Sequence, residues 1–381
     1  MHVCTLTSSY SSASDDPDGC SVSEVLDWLA KSGVRNTLLA ARPMYRRKPQ
    51  SDSSGIAGEW IRYLALPGRL GIPVEGAFLF ARVVGRLREL HRTERVDLLH
   101  AHGALPCGHA AMLLSKELNI PYVVTVNGDD DLSPAQVSGR RGKWRHRIAR
   151  RIFAESRRVL CTSEHLREEV LEAMGRGFRT SVVYNGVDPE LFSPALQSSE
   201  PATTVLSAGN LRAIEGHAVL IRATAALVKE FPSISLEIIG DGPERSHLEK
   251  LVKKIGLAGQ VRFVGRQLRR QIADGMKGCT FFALPSRAEQ SSCHDVQAMS
   301  CGKAVIGCRG QGIAEIIQHG ANGFLVGSGN EKELTFAMGM LLREPQRRRS
   351  LGSAARDTVL ERLTVEQQAE NLKRIYRESL S

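Results

Sequence analysis

Short apolar runs alternate with segments of helical periodicity along almost the whole chain, and that alternation restricts the fold more than any other feature. NTLLAA, VDLLHAH, PYVVTV, RVLCTS and TSVVYN are each bounded by polar or turn residues, as buried strands are. Between them, EVLDWLAKSG and HAAMLLSKEL repeat apolar residues at helical spacing. Strands separated by helices pair in parallel, with the helices covering the sheet faces, so an α/β protein is expected. A polar, proline-bearing interval from Ala195 to Thr204 interrupts the pattern. It restarts with TVLSAGN and runs on through HAVLIRATAALVKEF, SLEIIGDGP, VRFVG, TFFALP and AVIGC. Two domains are therefore expected, residues 1–194 and 195–364, and a closing helical segment, 365–381, that packs back toward the first. A length of 381 residues suits two cores of ordinary size.

Several classes of protein are disfavoured at once. No run reaches the roughly 18 apolar residues of a membrane span, and MHVCTLTSSYSS has neither the basic start nor the apolar stretch of a signal peptide. A cytoplasmic location is expected. The 8 cysteines are scattered, without a CxxC pair or histidines at metal-ligand spacing, so reduced thiols are expected and no metal site. The formal charge of +10 is concentrated between Arg140 and Arg158, where Trp144, Ile148 and Ile152 recur at helical spacing beneath a cationic face. Such a helix is either a solvated surface or a docking face for an anionic membrane. Nucleic acid is not an expected partner: aromatic content is only 5%, and no stacking platform accompanies the basic residues.

Glycine-bearing turns follow the strands, around Gly19, from Gly209 to Gly216, at Gly240 and in RGQG from Arg309 to Gly312. Glycine there permits close backbone approach, and the helix starts behind such turns present free N–H groups to an anion. A phosphate-bearing ligand at the strand ends is therefore expected. The dinucleotide fingerprint GxGxxG is absent, which removes the main support for a nicotinamide or flavin enzyme. One carboxylate stands out: Glu289 follows the strand-like FFALP, at the place where parallel α/β sheets bind ligands.

Ten ordered segments, among them PYVVTVNGDD, VVYNGVDPELFSP, VLSAGNLRAIEGHAVLIRA, LEIIGDGPERSHLEKL and AMSCGKAVIGCRGQGIAEII, resemble glycosyltransferase family 4, of the bacterial polysaccharide type. The resemblance implies the GT-B architecture, two Rossmann-like domains facing across a cleft. It also implies transfer of a sugar from a nucleotide diphosphate sugar to a carbohydrate or lipid-linked glycan acceptor, with retention and without cofactor or metal. The C-terminal domain would hold the donor and the N-terminal domain the acceptor. Glu289 matches the first glutamate of the family's EX7E motif. Gly19, Gly209, Asn210, Arg212, Glu215, Gly240, Gln290, Ser291, Ser292 and Gln297 fall at donor positions, Asn127 near the reacting sugar, and His102 and Asp129 on the acceptor side.

The chain departs from the family where chemistry is expected. Gln297 replaces the second glutamate of the motif, Asn127 a histidine, and Gln290, Ser291 and Ser292 a glycine–phenylalanine–glycine. Asn210 and Glu215 stand where the family commonly carries arginine and lysine. A carboxylate about 4 Å from a diphosphate would cost on the order of 1 to 4 kcal/mol, so the leaving group needs another cation, for which Arg212 and Arg266 are candidates. Two readings follow, an active retaining glycosyltransferase with a rewired donor site and a catalytically impaired homologue that binds a sugar or a partner. The active enzyme is expected either free in the cytoplasm or peripheral on the inner face of the membrane.

Overall fold

The computed structural model describes residues 1–8, 22–45, 58–65, 72–128, 139–195, 203–287 and 293–381. The chain forms two compact units. The first runs to Tyr184 and regains Val365–Ser381; the second holds Asn185–Thr364. Residues 185–194 thus belong with the second unit. The Val187 N–H bonds the Leu363 carbonyl at 2.9 Å, and Ser300 Oγ donates to the Phe192 carbonyl at 2.7 Å.

Among the described residues of the first unit, strands β1 (His2–Thr7), β2 (Arg35–Pro43), β3 (Gly58–Tyr63), β4 (Leu98–His102), β5 (Tyr122–Val126), β6 (Arg158–Cys161) and β7 (Thr180–Val182) form a 7-stranded sheet. Its order is β3-β2-β1-β4-β5-β6-β7, and every pairing is parallel. Helices α1 (Val22–Lys31), α2 (Ile72–Thr93), α3 (His109–Leu118), α4 (Gly139–Glu155) and α5 (Glu164–Met174) lie in the crossovers. Burial follows position in the sheet. All of β1 is buried, whereas the edge strand β3, GEWIRY, ends in alternating buried Ile61, exposed Arg62 and buried Tyr63.

The second unit carries β8 (Thr204–Ala208), β9 (Ser235–Ile239), β10 (Val261–Gly265), β11 (Phe281–Ala283), β12 (Val305–Cys308) and β13 (Phe324–Val326). They form a 6-stranded sheet in the order β10-β9-β8-β11-β12-β13, again wholly parallel. Helices α6 (His217–Leu227), α7 (Arg245–Lys254), α8 (Arg269–Gly278), α9 (Cys293–Ser300), α10 (Glu331–Arg343) and α11 (Pro345–Arg362) alternate with these strands or follow them. Their ends carry local signals: the Asn330 side chain caps α10 by accepting from the Glu333 N–H, and a proline opens α11.

The last helix, α12 (Val365–Leu380), belongs to the first unit, where Ala369, Leu372, Ile375 and Tyr376 join a core with Leu26, Leu29 and Leu38. The Tyr376 hydroxyl is 2.7 Å from His100 Nδ1, and His100 Nε2 is 2.7 Å from Thr125 Oγ1. A fully buried phenol thereby finds a polar partner on β4.

The basic helix differs from its expected form. It ends at Glu155, and Arg158 begins β6, where it bonds Ser181 Oγ at 2.8 Å and faces Glu378 at 3.3 Å. Its inward stripe is Ile148, Ala149, Ile152 and Phe153; of the expected residues only Trp144 stands outside it, 45% exposed. The cysteines Cys4, Cys107, Cys161, Cys279, Cys301 and Cys308 are free and buried. Cys293 is disulfide-bonded, against the expectation of reduced thiols; spacing along the chain carries no information about a bridge that the fold closes.

Candidate active site

In both sheets the strand order reverses once, between β1 and β4 in the first unit and between β8 and β11 in the second. Ligands of doubly wound sheets bind beyond the carboxyl ends of the strands at such a reversal. The loops after β8 and β11 flank it in the second unit, and they are bonded to each other. The Arg287 N–H donates to the Ile214 carbonyl at 2.5 Å, and Ser286 Oγ donates to the same oxygen at 3.3 Å. Gly216, at φ +75°, passes so close beneath Pro285 that a Cβ would sit 2.0 Å from its carbonyl oxygen. The chain up to Arg287, two positions before Glu289, is therefore fixed to the β8 loop. Glu289, Gln290, Ser291 and Ser292, like Gly19 and Asp129, lie outside the described residues.

The glycines of this face bring loop backbone against loop backbone. Gly209 donates to the Ile239 carbonyl at 3.0 Å, Leu211 to Asp241 at 3.2 Å, Glu244 to Leu211 at 2.9 Å and Gly240 to Gly265 at 2.8 Å. The ends of β8, β9 and β10 are thus joined loop to loop. A Cβ on Gly240, whose φ is +125°, would lie 1.8 Å from the Gly209 carbonyl oxygen. Here glycine is required for backbone to meet backbone.

Glu215 is the largest departure from the sequence reading. Rather than facing a diphosphate, its side chain turns inward and is fully buried, with Oε2 so close beneath Gly209 that a Cβ there would come within 2.2 Å. Arg212 Nε and His217 Nδ1 each stand 3.9 Å from the carboxylate. Burial lowers the His217 imidazole to about 4, so it is uncharged at neutral pH. Asn210 is half-buried on the same loop, and its carbonyl accepts from the Arg212 N–H at 2.7 Å.

Gln297 is also turned inward. Its carbonyl accepts from His294 Nδ1 at 2.9 Å, and its amide reaches Cys293 Sγ at 3.6 Å. Two positions earlier, Asp295 was not singled out by sequence, yet it is 4% exposed with an Oδ1 that has no hydrogen-bond partner. Burial raises its carboxyl from 3.8 to about 8. The only sequence signal is an acid on a helix whose other residues are nearly all apolar or small.

In the first unit, His102 ends β4 opposite Thr125 of β5, and half-buried Asn127 lies just beyond that strand. The His100 and His102 rings lie 4.4 Å apart between centroids. Desolvation holds His102 at about 4 and His100 well below its usual value. Both are neutral at physiological pH, so His102 offers hydrogen bonds rather than charge.

The pattern of two parallel sheets with ligand-type strand ends agrees with what known proteins reveal. The family described as Glycosyltransferase Family 4 matches residues 21–191, and that described as Glycosyl transferases group 1 matches residues 189–358. The chain belongs to the family 4 glycosyltransferases, and its two Rossmann-like units are those of the GT-B fold. It is 27% identical over 304 residues to N-acetyl-alpha-D-glucosaminyl L-malate synthase of Bacillus anthracis, covering 77% of this chain and 78% of that enzyme. In fold it is similar to sucrose-phosphate synthase from Thermosynechococcus elongatus, with a TM-score of 0.82 at 19% identity over 99% of this chain and 98% of that one. HepE of Anabaena, solved in complex with UDP and glucose, superposes with a TM-score of 0.79 at 22% identity over 99% and 100% of the two chains.

Two consequences can be measured. Glu215→Lys should not supply a diphosphate cation; it should bury an ammonium beside Arg212 and destabilise the protein by roughly 3 kcal/mol or more. Urea unfolding checks this, and a variant of wild-type stability with tighter nucleotide binding would place the side chain outward. For Asp295, the raised folded pKa means that the folded state holds a proton the unfolded chain has released, so stability falls as pH rises from about 4 to about 8. Asp295→Asn, neutral at every pH, should therefore raise Tm much more at pH 8 than at pH 5. An equal shift at both values would mean that the carboxyl meets a cation in the folded protein.

Proposed function

We propose that the chain transfers a sugar from a nucleoside diphosphate sugar to a hydroxyl acceptor, with retention at the anomeric carbon and no bound metal, in the assembly of cell-surface or exported polysaccharide. The observation that carries this reading is the join at Ile214, which fixes the root of the Glu289 loop at the strand-order reversal of the second unit. UDP and glucose in the HepE structure support a nucleotide-sugar donor. In the reaction the bond from the anomeric carbon to the diphosphate oxygen breaks, the acceptor oxygen takes its place, and the acceptor's proton leaves with the diphosphate. Negative charge grows on the leaving group, so fixed dipoles and cations near it lower the barrier most. Glu289 would accept hydrogen bonds from sugar hydroxyls and hold the pose, each such charge-assisted bond contributing about 1.5 to 3 kcal/mol. Neutral His102 and Asn127 would bond acceptor and sugar hydroxyls. The reading as an impaired homologue draws on four departures from the family, and the burial of Glu215 takes away one of them, the carboxylate repelling the diphosphate.

A lipid-linked acceptor would bring the first unit to an anionic bilayer through α4. Lys143, Trp144, Arg147, Arg150 and Arg151 are exposed along that helix, combining cations with an aromatic ring suited to the interface.

A thermal-shift screen of nucleotide sugars identifies the donor, since a ligand at a hundred times its Kd adds about 2.7 kcal/mol of stability. With that donor, Glu289→Gln should abolish transfer while leaving Tm unchanged; a variant that matches the wild-type rate removes Glu289 from the mechanism. Liposome flotation tests α4. Binding should rise with anionic lipid, fall with salt and be lost when Lys143→Gln, Trp144→Ala and Arg147→Gln are combined. Equal flotation of the two proteins, or none by the wild type, would leave the helix a solvated surface.

A further inference from the structure

The donor reading requires positive charge at the diphosphate, and neither Asn210 nor buried Glu215 supplies it. Arg212 faces Glu215, and Arg309 is held by the Leu325 carbonyl at 2.8 Å and by the Glu333 carboxylate. Arg287 differs from both. Its guanidinium is exposed, has no carboxylate within 4.0 Å and makes no hydrogen bond among the described residues. Its main chain, by contrast, is anchored by the bond to Ile214 at the strand-order reversal.

The side chain is also placed by packing. It lies against the turn after β13, where a Cβ on Gly329 would come within 3.1 Å of Nη2, 3.4 Å of Nε and 3.5 Å of Cζ. All three atoms approach one backbone position, so the guanidinium plane rests against a surface that glycine alone leaves open. Its charge also acts on the Cys308 thiol at the end of β12. An anchored backbone, a supported plane and a fork unpaired among the described residues together suit a phosphate receptor whose ordering costs little on binding. An unpaired arginine on an open surface is ordinary. One at the carboxyl ends of β11 and β12, beside the strand-order reversal, stands at the face where doubly wound sheets bind their ligands.

We propose that Arg287 is the cation that receives the donor's diphosphate, in place of the basic side chains absent at positions 210 and 215. This rests on the nucleoside diphosphate sugar reading above. Arginine suits the task because its planar fork can pair two phosphate oxygens at once.

The test is calorimetry of UDP, GDP and ADP, with the matching nucleosides as controls, against the wild type, Arg287→Ala and Arg287→Lys. For the diphosphate that the wild type binds, the alanine variant should lose affinity on the order of ten- to a hundredfold. Lysine should recover part of it, since it restores the charge without the fork. Nucleoside affinity and Tm should not change, because the guanidinium makes no hydrogen bond or ion pair among the described residues. Unchanged diphosphate affinity in Arg287→Ala overturns the assignment and leaves the donor reading standing. An equal loss for nucleoside, or a lowered Tm, also overturns it by making the role structural. Failure of the wild type to bind any of the three diphosphates removes both the assignment and the donor reading.

Discussion

The carbonyl of Ile214 is the point on which the second unit's functional face depends. It accepts from the Arg287 main chain and the Ser286 hydroxyl, so two loops that belong to strands on either side of the order reversal are held as one piece. A parallel sheet fixes where its strands end but not how the loops beyond them lie, and those loops lose rigidity without cross-links of this kind. The close passage of Gly216 beneath Pro285 and of Gly240 beneath Gly209 extends the same piece across the ends of β9 and β10. What emerges is a continuous rim that reaches Arg287, two positions before Glu289 in the sequence.

That rim changes the meaning of the glycines. Each could have been a place for phosphate to approach backbone, and several are instead places where backbone approaches backbone. The distinction matters for specificity. A surface built by loop-to-loop contact presents side chains, and the side chains left exposed on it decide which charge it welcomes. With Glu215 folded under Gly209, the rim presents no carboxylate from that position, and its charge is set by arginines.

Much of the architecture was legible because parallel sheets write themselves as short apolar runs between helical segments. The strands of the second unit, from TVLSAGN to AVIGC, carry that signature plainly. The central strand β1 does not, since His2, Thr5 and Thr7 interrupt its apolar residues; it is buried only because β2 and β4 flank it, with His2 Nε2 lying 2.9 Å from Thr37 Oγ1. For the candidate site, motif order put residues at the strand ends but could not say which way they turn. Glu215, Gln297 and Trp144 all lie on the expected elements and face elsewhere than expected, because direction is decided by the packing of neighbours distant in sequence. Asp295 and Arg287 were not marked as site residues by sequence, and their character comes from burial in one case and from the lack of a partner among the described residues in the other.

The return of α12 to the first unit has a consequence for how the chain is made. The hydroxyl of Tyr376 reaches His100 across 276 positions, and the core around Leu26 and Leu29 includes Leu372 and Ile375. Among the described residues the second unit, by comparison, is the single stretch Asn185–Thr364. The unit synthesised first therefore waits for the final helix before its core can close, while the unit synthesised second can fold as soon as its own stretch is complete. Order of emergence and order of completion are reversed, and an open core beneath β4 is the vulnerable surface of every nascent chain until its last helix arrives.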